Sequence, residues 1–148
     1  MKLEEEISQP HFKSEYHKAN VNLIYTSYWL MNRIKTNLQE HDITHQQYNV
    51  LRILRGQNGK PISTSDIRNR MLDRMSDVSR IVDRLHKQDL VTRKICPSDK
   101  RLVDVAINDK GLKLLKQIDP TQDAIERLLA LDEKEVQQLN ALLDKARG

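Results

Sequence analysis

The sequence predicts a mainly α-helical protein with a single short β-hairpin, and three observations lead to this fold class. Over most of the chain, apolar residues recur every three or four positions, which is the period of an amphipathic helix. Two runs alternate instead, VTRKI (91–95) and LVDVAI (102–107), and the turn-forming segment CPSDKR (96–101) joins them. The 148 residues include four glycines and four prolines, a low number that favours an ordered, helix-rich protein.

The first part of the chain predicts two helices. Apolar and aromatic side chains keep the helical spacing over residues 14–39, which indicates one long helix. A second helix is predicted to begin after Thr44, a residue type favoured at the N-cap, and to end near the Asn58-Gly59 pair. The segment 60–62 (Lys-Pro-Ile) should then be short and extended.

Two shorter helices follow, and a tight turn joins them. Ser63, Thr64 and Ser65 offer capping hydroxyls to the first, which should end around residues 73–74. Ser76 is the predicted cap of the second. Its apolar stripe falls at i, i+3, i+4 and i+7, namely Val78, Ile81, Val82 and Leu85. The opposite face is polar and carries Asp77, Ser79, Arg80, Asp83, Arg84 and Lys87.

The C-terminal part of the chain returns to the helical period after the hairpin. Apolar residues at this spacing resume at Leu112. The Asp119-Pro120 pair predicts the start of a further helix, because proline is accepted at the first helical position. Asp132 and Glu135 have the spacing of a capping box and predict the start of the last helix.

The two short helices and the hairpin together predict a winged helix-turn-helix with a two-stranded wing. The second helix has an apolar back and a polar front, so it can lie in a DNA major groove about 12 Å wide. Cations at the tip of a hairpin can reach an adjacent minor groove, where the negative potential favours arginine. This interpretation gives Arg101, and also Lys100, a role in DNA binding.

The charges of the chain are unevenly distributed. Residues 52–101 hold 13 Lys or Arg against 6 Asp, a net charge of +7, whereas the remainder holds 12 basic and 15 acidic residues, a net charge of −3. A basic middle between acidic ends is typical of a polyanion-binding module on a neutral-to-acidic scaffold. Charge alone is equally consistent with a mixed, solvated surface.

Composition and motifs also exclude several classes of protein. No apolar run reaches the roughly 18 residues of a membrane span, and the first residues, MKLEEEISQP, lack the apolar core of a secretory signal. The lone Cys96 cannot form an internal disulfide, so we expect a cytoplasmic protein. The sequence contains no phosphate-cradling glycine-rich loop, nucleophile elbow or zinc-protease motif, so we expect neither an enzyme nor a cofactor.

Three segments in this region resemble the MarR family of bacterial transcription regulators. They are THQQYNVLRIL (44–54), SDVSRIVDRLHKQDLVTRK (76–94) and PSDKRLVDVAINDKGLKLL (97–115). The family has a Ser/Thr-x-x-x-Arg-Leu-Val-x-x-Leu-like recognition helix, a Gly-Leu-Val strand entry, an Asp-Arg-Arg wing and a strand ending near Thr-x-x-Gly. The matching features here are SDVSRIVDRL (76–85), DLV (89–91), DKR (99–101) and NDKG (108–111). The resemblance is close over about residues 43–118, and the outer helices agree in position and character.

The resemblance implies a homodimer whose N- and C-terminal helices interlock, with one winged helix in each subunit. The expected division is a dimerisation region at 1–42, a winged-helix DNA-binding domain at 43–108 and C-terminal dimerisation helices at 109–148. Such a dimer would bind a pseudo-palindromic operator in double-stranded DNA, often as a repressor. Many members of the family release DNA when a small aromatic or phenolic anion binds between the two parts, and no membrane partner is expected.

Three positions depart from the family pattern. Asp89 replaces the usual glycine before Leu-Val, and aspartate can adopt the left-handed conformation less readily than glycine. Lys100 replaces the first arginine of the wing, which keeps the charge but loses the planar fork. Arg68 stands where a small residue is common, and it could reach a phosphate.

The predicted DNA contacts fall into three groups, each with a simpler alternative. Expected major-groove contacts are Ser76, Asp77, Ser79 and Arg80; the alternative is an exposed polar face, and for Asp77 a helix cap alone. Expected phosphate contacts, which position the protein without reading sequence, are Thr64, Ser65, Arg68, Arg74 and Arg84. At the wing, Lys100 and Arg101 are expected in the minor groove and Asp99 as an internal partner that orients them; the alternative is a solvated turn.

Other candidate side chains favour the simpler interpretation. His41 and His45 have a spacing that can bind zinc on a helix, but no further His or Cys cluster accompanies them, so we expect surface or capping histidines and no metal. Cys96 lacks a resolving partner, and redox sensing is the less favoured alternative. Aromatic residues of the first long helix could line an effector pocket, although a core or dimer interface is the commoner use: Tyr25, Tyr28 and Trp29.

Overall fold

The computed structural model describes residues 2–95 and 103–148. Its elements, in chain order, are α1 (Leu3–Glu6), α2 (Glu15–Gln39), α3 (His45–Arg55), β1 (Ile62–Ser63), α4 (Thr64–Arg70), α5 (Val78–Lys87), β2 (Val91–Ile95), β3 (Val103–Ile107), α6 (Asp109–Glu126) and α7 (Glu133–Arg147). The expected mainly α class is confirmed, and the helix-turn-helix followed by a hairpin lies at the predicted place.

The hairpin belongs to an antiparallel sheet of three strands in the order β1-β3-β2, where the sequence predicted two strands. In the hairpin, Val91 lies opposite Ile107 and Ile95 opposite Val103. The additional strand is the extended segment after Pro61, and its Ile62 lies opposite Val105. Because β3 is paired on both edges, it is the central strand and anchors the base of the wing to the helices.

One hydrophobic core joins the winged helix to α6 and the end of α2. Its fully buried side chains come from almost every element of this region: Leu38, Val50, Leu51, Leu54, Ile67, Val78, Val82, Leu85, Val91, Val105, Leu115 and Ile118. Burying one such side chain contributes about 1.5–3 kcal/mol. This core therefore fixes the orientation of α5, whose polar face is left on the outside.

Several helix ends were predicted correctly from local sequence. The Thr44 hydroxyl accepts the Gln47 N–H at 3.2 Å while the Gln47 side chain accepts the Thr44 N–H at 2.8 Å, so the two form a capping box. Asp132 and Glu135 do the same at the start of α7. Ser63 caps α4 by accepting the Asp66 N–H at 3.0 Å.

The expectation of a new helix at Pro120 is wrong, because α6 runs through this residue without a break. The buried side chains Ile118, Gln122 and Ile125 keep one face of the helix against its neighbours on both sides of the proline. In addition, the Arg55 guanidinium donates to both carboxylate oxygens of Asp119, at 3.0 and 2.8 Å. Packing and this ion pair offset the hydrogen bond that proline cannot make inside a helix.

The outer helices leave much of their apolar surface exposed in the single chain. In α2, Leu38 is the one buried residue of the helix, and exposed side chains lie along it: Tyr16, Leu23, Ile24, Tyr28 and Met31. Helix α7 has no buried residue, and Leu142 is exposed. None of the helices described is long and apolar enough to cross a membrane.

Candidate nucleic-acid interface

Helix α5 has the two faces that a recognition helix needs. Val78, Val82 and Leu85 are at most 2% exposed and pack into the core. The outer face carries exposed polar and charged side chains: Ser79, Arg80, Asp83, Arg84 and Lys87. The predicted contacts Ser79 and Arg80 therefore lie on the solvent side of the helix, as a contact with DNA requires.

Asp77, not Ser76, is the N-cap of α5, so the prediction that Ser76 caps this helix is wrong. The Asp77 carboxylate accepts the Arg80 N–H at 3.2 Å. The Ser76 hydroxyl instead donates to the Asp73 carboxylate at 3.0 Å. Because α5 begins at Val78, the capping position falls on Asp77, and Ser76 lies one residue earlier in the turn.

The turn between α4 and α5 is held by two side chains. Asp73 accepts the Met75 N–H at 2.9 Å as well as the Ser76 hydroxyl. Asn49 of α3 accepts the Leu72 N–H at 3.0 Å. Helix α4 also ends at Arg70, earlier than the predicted 73–74, so the turn spans residues 71–77. These bonds fix the point from which α5 starts.

A groove of about 340 Å³ brings together part of the predicted DNA-contact set. Its lining includes four predicted residues, namely Ser76, Asp77, Arg80 and Arg84. Residues Thr44, Gln46 and Met75 line the same groove, which thus runs between the start of α3 and the polar face of α5. The remaining predicted contacts lie outside this groove: Thr64, Ser65, Arg68, Arg74 and Ser79.

The predicted phosphate contacts on α4 and its turn sit at the surface. Ser65, Arg68 and Arg74 are exposed, and Thr64 is half-buried at the first position of α4. The neighbouring Arg70 approaches Asp66 at 3.8 Å. Within residues 2–95 and 103–148, Arg68 and Arg74 form no ion pair, so their charges are available to an external anion.

Asp83 on the exposed face of α5 pairs with Arg93 of β2. Without a partner, an aspartate here would repel phosphates. The ion pair offsets this charge, and it also ties the recognition helix to the first strand of the wing. Neither effect was foreseen from the sequence.

The turn from α5 into β2 has the conformation that the family pattern implies. Asp89 has φ of 59°, so the expectation that aspartate takes the left-handed conformation here is confirmed. The Asn108 side-chain amide donates to the Asp89 carbonyl at 2.9 Å, and its oxygen accepts the Gly111 N–H at 2.9 Å. A Cβ on Gly111 would lie 2.4 Å from the Leu90 carbonyl oxygen, so glycine is required for α6 to approach this turn.

A pair of glutamines that the sequence did not single out connects α3 to the end of α5. Gln47 is 6% exposed, and its amide donates to the Gln88 side chain at 2.8 Å. Gln88 in turn donates to the Asp42 carbonyl at 3.0 Å. The available signal was the Thr-x-x-Gln pattern that places Gln47 in a capping box; its partner lies 41 residues away and has no local signature.

The predicted wing-tip residues lie outside the described residues. They are Asp99, Lys100 and Arg101, together with Cys96. The described strands bracket this tip, because β2 ends at Ile95 and β3 begins at Val103.

A second cleft, of about 590 Å³, lies between the outer helices and the winged helix. It is lined by Leu30 and Ile34 of α2, by α3, by Leu72 and by the end of α6. The Arg52 guanidinium lies 5.8 Å from the centre of the Tyr48 ring in this cleft. The lining also includes the Glu126 carboxylate, which lies 3.6 Å from Arg52. An aromatic anion in the cleft could pair with Arg52 in place of Glu126.

The aromatic residues proposed as pocket lining do not line this cleft. Tyr25 and Trp29 contribute to a smaller cavity of about 180 Å³ next to α1, where Tyr25 donates to Glu6 at 2.8 Å. Tyr28 is 67% exposed. The cleft instead uses Leu30 and Ile34 of α2, which share it with the end of α6.

Two side chains of α3 have perturbed pKa values in the cleft. Burial lowers the pKa of His45 below its usual range. Burial raises the pKa of Tyr48, against the opposing effect of Arg52.

Among residues 2–95 and 103–148, no group of three metal-ligating side chains occurs. His45 is thus a partly buried neutral histidine in the cleft wall.

The fold and this surface define a winged helix-turn-helix regulator, and comparison with known proteins gives the family. The MarR family model matches residues 43–103. The transcriptional regulator FarR of Neisseria gonorrhoeae is 31% identical over 121 residues, which cover 79% of this chain and 82% of FarR. The chain therefore belongs to the MarR family of transcriptional regulators, and relatives of this kind are regulators, not enzymes.

Solved structures of MarR-like regulators share the fold. The S. aureus MepR–DNA complex aligns with a TM-score of 0.75 and 24% identity, covering 92% of this chain and 97% of that one. Bordetella bronchiseptica BpsR, whose DNA binding is regulated by 6-hydroxynicotinic acid, aligns with a TM-score of 0.77 and 22% identity. That alignment covers 88% of this chain and 99% of BpsR. At these identities the two structures support the fold alone.

Proposed function

We propose that this regulator binds a pseudo-palindromic operator in double-stranded DNA as a homodimer and represses transcription. One observation carries the proposal: α5 buries Val78, Val82 and Leu85 of its apolar back and presents Arg80 and Arg84 in an open groove beside its capped N-terminus. A helix so placed can enter a major groove and contact base edges with its first turns. The solved DNA complex of MepR, a protein of the same fold, supports the proposal that this chain binds DNA.

In this proposal the predicted contacts fall into three groups, according to the part of the DNA that each one touches. Ser76, Asp77, Ser79 and Arg80 act in the major groove, where an arginine can donate two hydrogen bonds to guanine. The phosphate contacts are Thr64, Ser65, Arg68, Arg74 and Arg84, and they fix the register of the protein on the duplex. Lys100 and Arg101 enter the flanking minor groove, and Asp99 orients them.

The homodimer accounts for the exposed apolar surface of the outer helices. Apolar patches of this extent on a single chain mark interaction sites, and Tyr28 and Leu142 are more than 60% exposed. We propose that residues 1–42 and 109–148 form the dimer interface and that residues 43–108 form the DNA-binding domain. Two recognition helices would then reach successive major grooves about 34 Å apart.

An aromatic or phenolic anion is the proposed effector, and the cleft around Tyr48 and Arg52 is its proposed site. The cleft is bounded on one side by α2 and α6 and on the other by α3 and Leu72. An occupant can therefore change the spacing between the dimerisation and DNA-binding parts, so that the two recognition helices no longer match one face of the duplex. Regulation of BpsR by an aromatic acid is consistent with such a ligand class.

A second function that the sequence allows is a winged helix that binds a partner protein instead of DNA. The weak net charge of +4 and the acids at 77, 83 and 89 motivate this alternative. In the structure each of these acids has an internal role, because Asp77 caps α5, Asp83 pairs with Arg93 and Asp89 forms the left-handed turn. These roles weaken the case for the alternative, and DNA binding stays the favoured proposal.

As the relatives are bacterial regulators, we propose that the chain acts in a bacterial cytoplasm, at the nucleoid when bound to DNA.

A titration by fluorescence anisotropy tests the proposal. The DNA upstream of the protein's own gene is compared with random DNA of equal length at several salt concentrations. Binding should prefer the upstream DNA and weaken steeply with salt, because cations on the protein displace counterions from phosphates. Arg80→Ala should lose the preference. Lys134→Ala, an equal loss of charge on α7, should keep it. Equal, salt-independent binding to both DNAs would refute the proposal.

A further inference from the structure

Among residues 2–95 and 103–148, Met75 is the most exposed large apolar side chain, with 92% of its surface accessible. It lies in the turn directly before α5. Its side chain is open, yet its backbone is fixed, because its N–H donates to the Asp73 carboxylate at 2.9 Å. The next residue is fixed as well, since the Ser76 hydroxyl and N–H both donate to Asp73, at 3.0 and 3.3 Å. The turn thus holds a flexible thioether at a defined place.

The surroundings of Met75 identify the kind of surface that would cover it. It lines the groove that also contains Ser76, Arg80 and Arg84. A purely apolar partner would leave the two guanidinium groups of Arg80 and Arg84 without partners, which is costly. The covering surface must pair with polar groups and also contact the apolar Met75. DNA can do both, because its phosphates and base edges accept hydrogen bonds and the 5-methyl group of thymine is an apolar group on the floor of the major groove.

We infer that Met75 is a specificity-determining residue that contacts the 5-methyl group of a thymine in the operator. This inference rests on the proposed DNA binding and adds a base feature that the polar residues of α5 cannot read. An unbranched thioether suits this contact because it adapts to the shape of a neighbouring group.

Leu72 provides a matched control within the same turn. It is also an exposed apolar residue, at 76%, but it lines the cleft beside Tyr48 and not the groove beside Arg80. Its truncation removes a similar apolar volume a few residues away, on another surface. A general effect of turn mutations on DNA binding would therefore appear in both variants.

The test replaces each thymine of the footprinted duplex in turn by deoxyuridine, which removes only the methyl group. At one or two positions in each half-site, replacing the thymine should make the wild-type protein bind about fourfold more weakly, as expected for the loss of one buried methyl group. Met75→Ala should bind the unmodified duplex about sixteenfold more weakly, because the homodimer loses the contact in both half-sites, and should show no further loss when those thymines are replaced. The Met75→Leu and Leu72→Ala variants should both still bind more weakly when those thymines are replaced by deoxyuridine.

The outcomes separate this inference from the proposed function. If the protein binds its upstream DNA specifically but no deoxyuridine position weakens it, the inference is overturned and the DNA-binding function stands. The inference is also overturned if, at every position, deoxyuridine substitution lowers the affinity of Met75→Ala as much as that of the wild type. Absence of specific DNA binding in all variants, with thermal unfolding unchanged, would overturn both.

Discussion

Asp83 on α5 and Arg93 on β2 form an ion pair that joins the recognition helix to the wing. The two residues are ten positions apart and both are partly exposed. Such pairs contribute little to stability, about 0.2–1 kcal/mol. The pair matters here because Asp83 lies on the surface proposed to contact phosphates, where an unpaired carboxylate would oppose binding.

A double-mutant cycle measures this relationship. Arg93→Gln should weaken DNA binding by about three- to tenfold, because it leaves Asp83 uncompensated beside phosphates. Adding Asp83→Asn to that variant should recover most of the affinity. Asp144→Asn, which breaks an exposed pair with Arg147 on α7, serves as the control and should have no effect. Strictly additive effects would show that the pair does not act as a unit.

Asp77 can be tested separately, because its carboxylate caps α5 through the Arg80 N–H. Asp77→Asn keeps a capping side chain and removes the charge, so stability should change by a few tenths of a kcal/mol to about 1 kcal/mol. A uniform gain in affinity for all DNA sequences means that the charge was only repulsive. A change in preference at one base position means that Asp77 reads that base, and no change in either would assign it to the cap alone.

Gly111 should be intolerant of a side chain. The Cβ of Gly111→Ala would meet the Leu90 carbonyl oxygen at 2.4 Å and the Ile107 side chain at 2.7 Å, so we expect a destabilisation of about 1–3 kcal/mol. Gly56→Ala is the matched control, since its nearest contact is 3.4 Å and its φ is −63°. That variant should be neutral or slightly more stable. Urea unfolding at a fixed protein concentration measures both, and equal effects would contradict the close approach of α6.

The stability of the protein should fall below about pH 6.5 through His45. Burial lowers the pKa of His45 in the folded state, so between that pKa and the ordinary value the unfolded chain binds the extra proton. The free energy of unfolding is therefore highest above the ordinary histidine pKa. It declines as the pH drops below that pKa, by at most about 1.4 kcal/mol per pH unit for one histidine.

Urea unfolding between about pH 5 and pH 8 tests this sign. His45→Gln should flatten the decline relative to the wild type. His11→Gln removes a histidine from an exposed position and controls for the loss of one titratable histidine. A wild-type curve that rises towards low pH would contradict the burial of a neutral imidazole.

Arg52 should be needed for the response to the effector and not for DNA binding. It lies in the cleft between α3 and α6, where it also approaches Glu126 at 3.6 Å, and not in the groove of α5. With a panel of hydroxybenzoates, the wild type should release its DNA at ligand concentrations that leave Arg52→Gln bound, a shift of tenfold or more for a lost charged contact (about 1.5–3 kcal/mol). Release of both proteins at the same concentration would place the effector elsewhere.

Local signals predicted much of the fold. The capping box at Thr44 and the left-handed residue at Asp89 depend on side chains within a few positions of one another, so a single sequence is sufficient to recognise them. The face of α5 was equally clear, because the apolar stripe and the polar residues opposite it follow one helical period.

The errors arise where the local sequence allows more than one outcome; in the first case a nearby turn residue is involved, and in the second a distant one. Ser76 and Asp77 are both favoured caps, and the choice depends on Asp73, which holds the Ser76 hydroxyl. Pro120 continues a helix because Arg55 and the core hold both sides of it.

The same limit applies to the candidate site. The cleft around Tyr48 is built by helices that lie far apart in sequence, so its lining could not be read from periodicity. The charge of Asp83 could not be assigned a partner either, since a strand register places Arg93 beside it. Residue types are the basis of the proposed DNA-binding surface, whereas tertiary contacts determine which of its charges have a partner within the protein.

Hydroxyl-radical footprinting of the wild-type protein on the DNA upstream of its own gene tests the central proposal most directly. A homodimer that places two α5 helices in successive major grooves should protect two inverted half-sites whose centres lie about one helical turn, roughly 10 base pairs, apart. The protection should disappear as salt is raised. A single unsymmetrical protected patch, or protection no different from that on random DNA, would contradict the proposal.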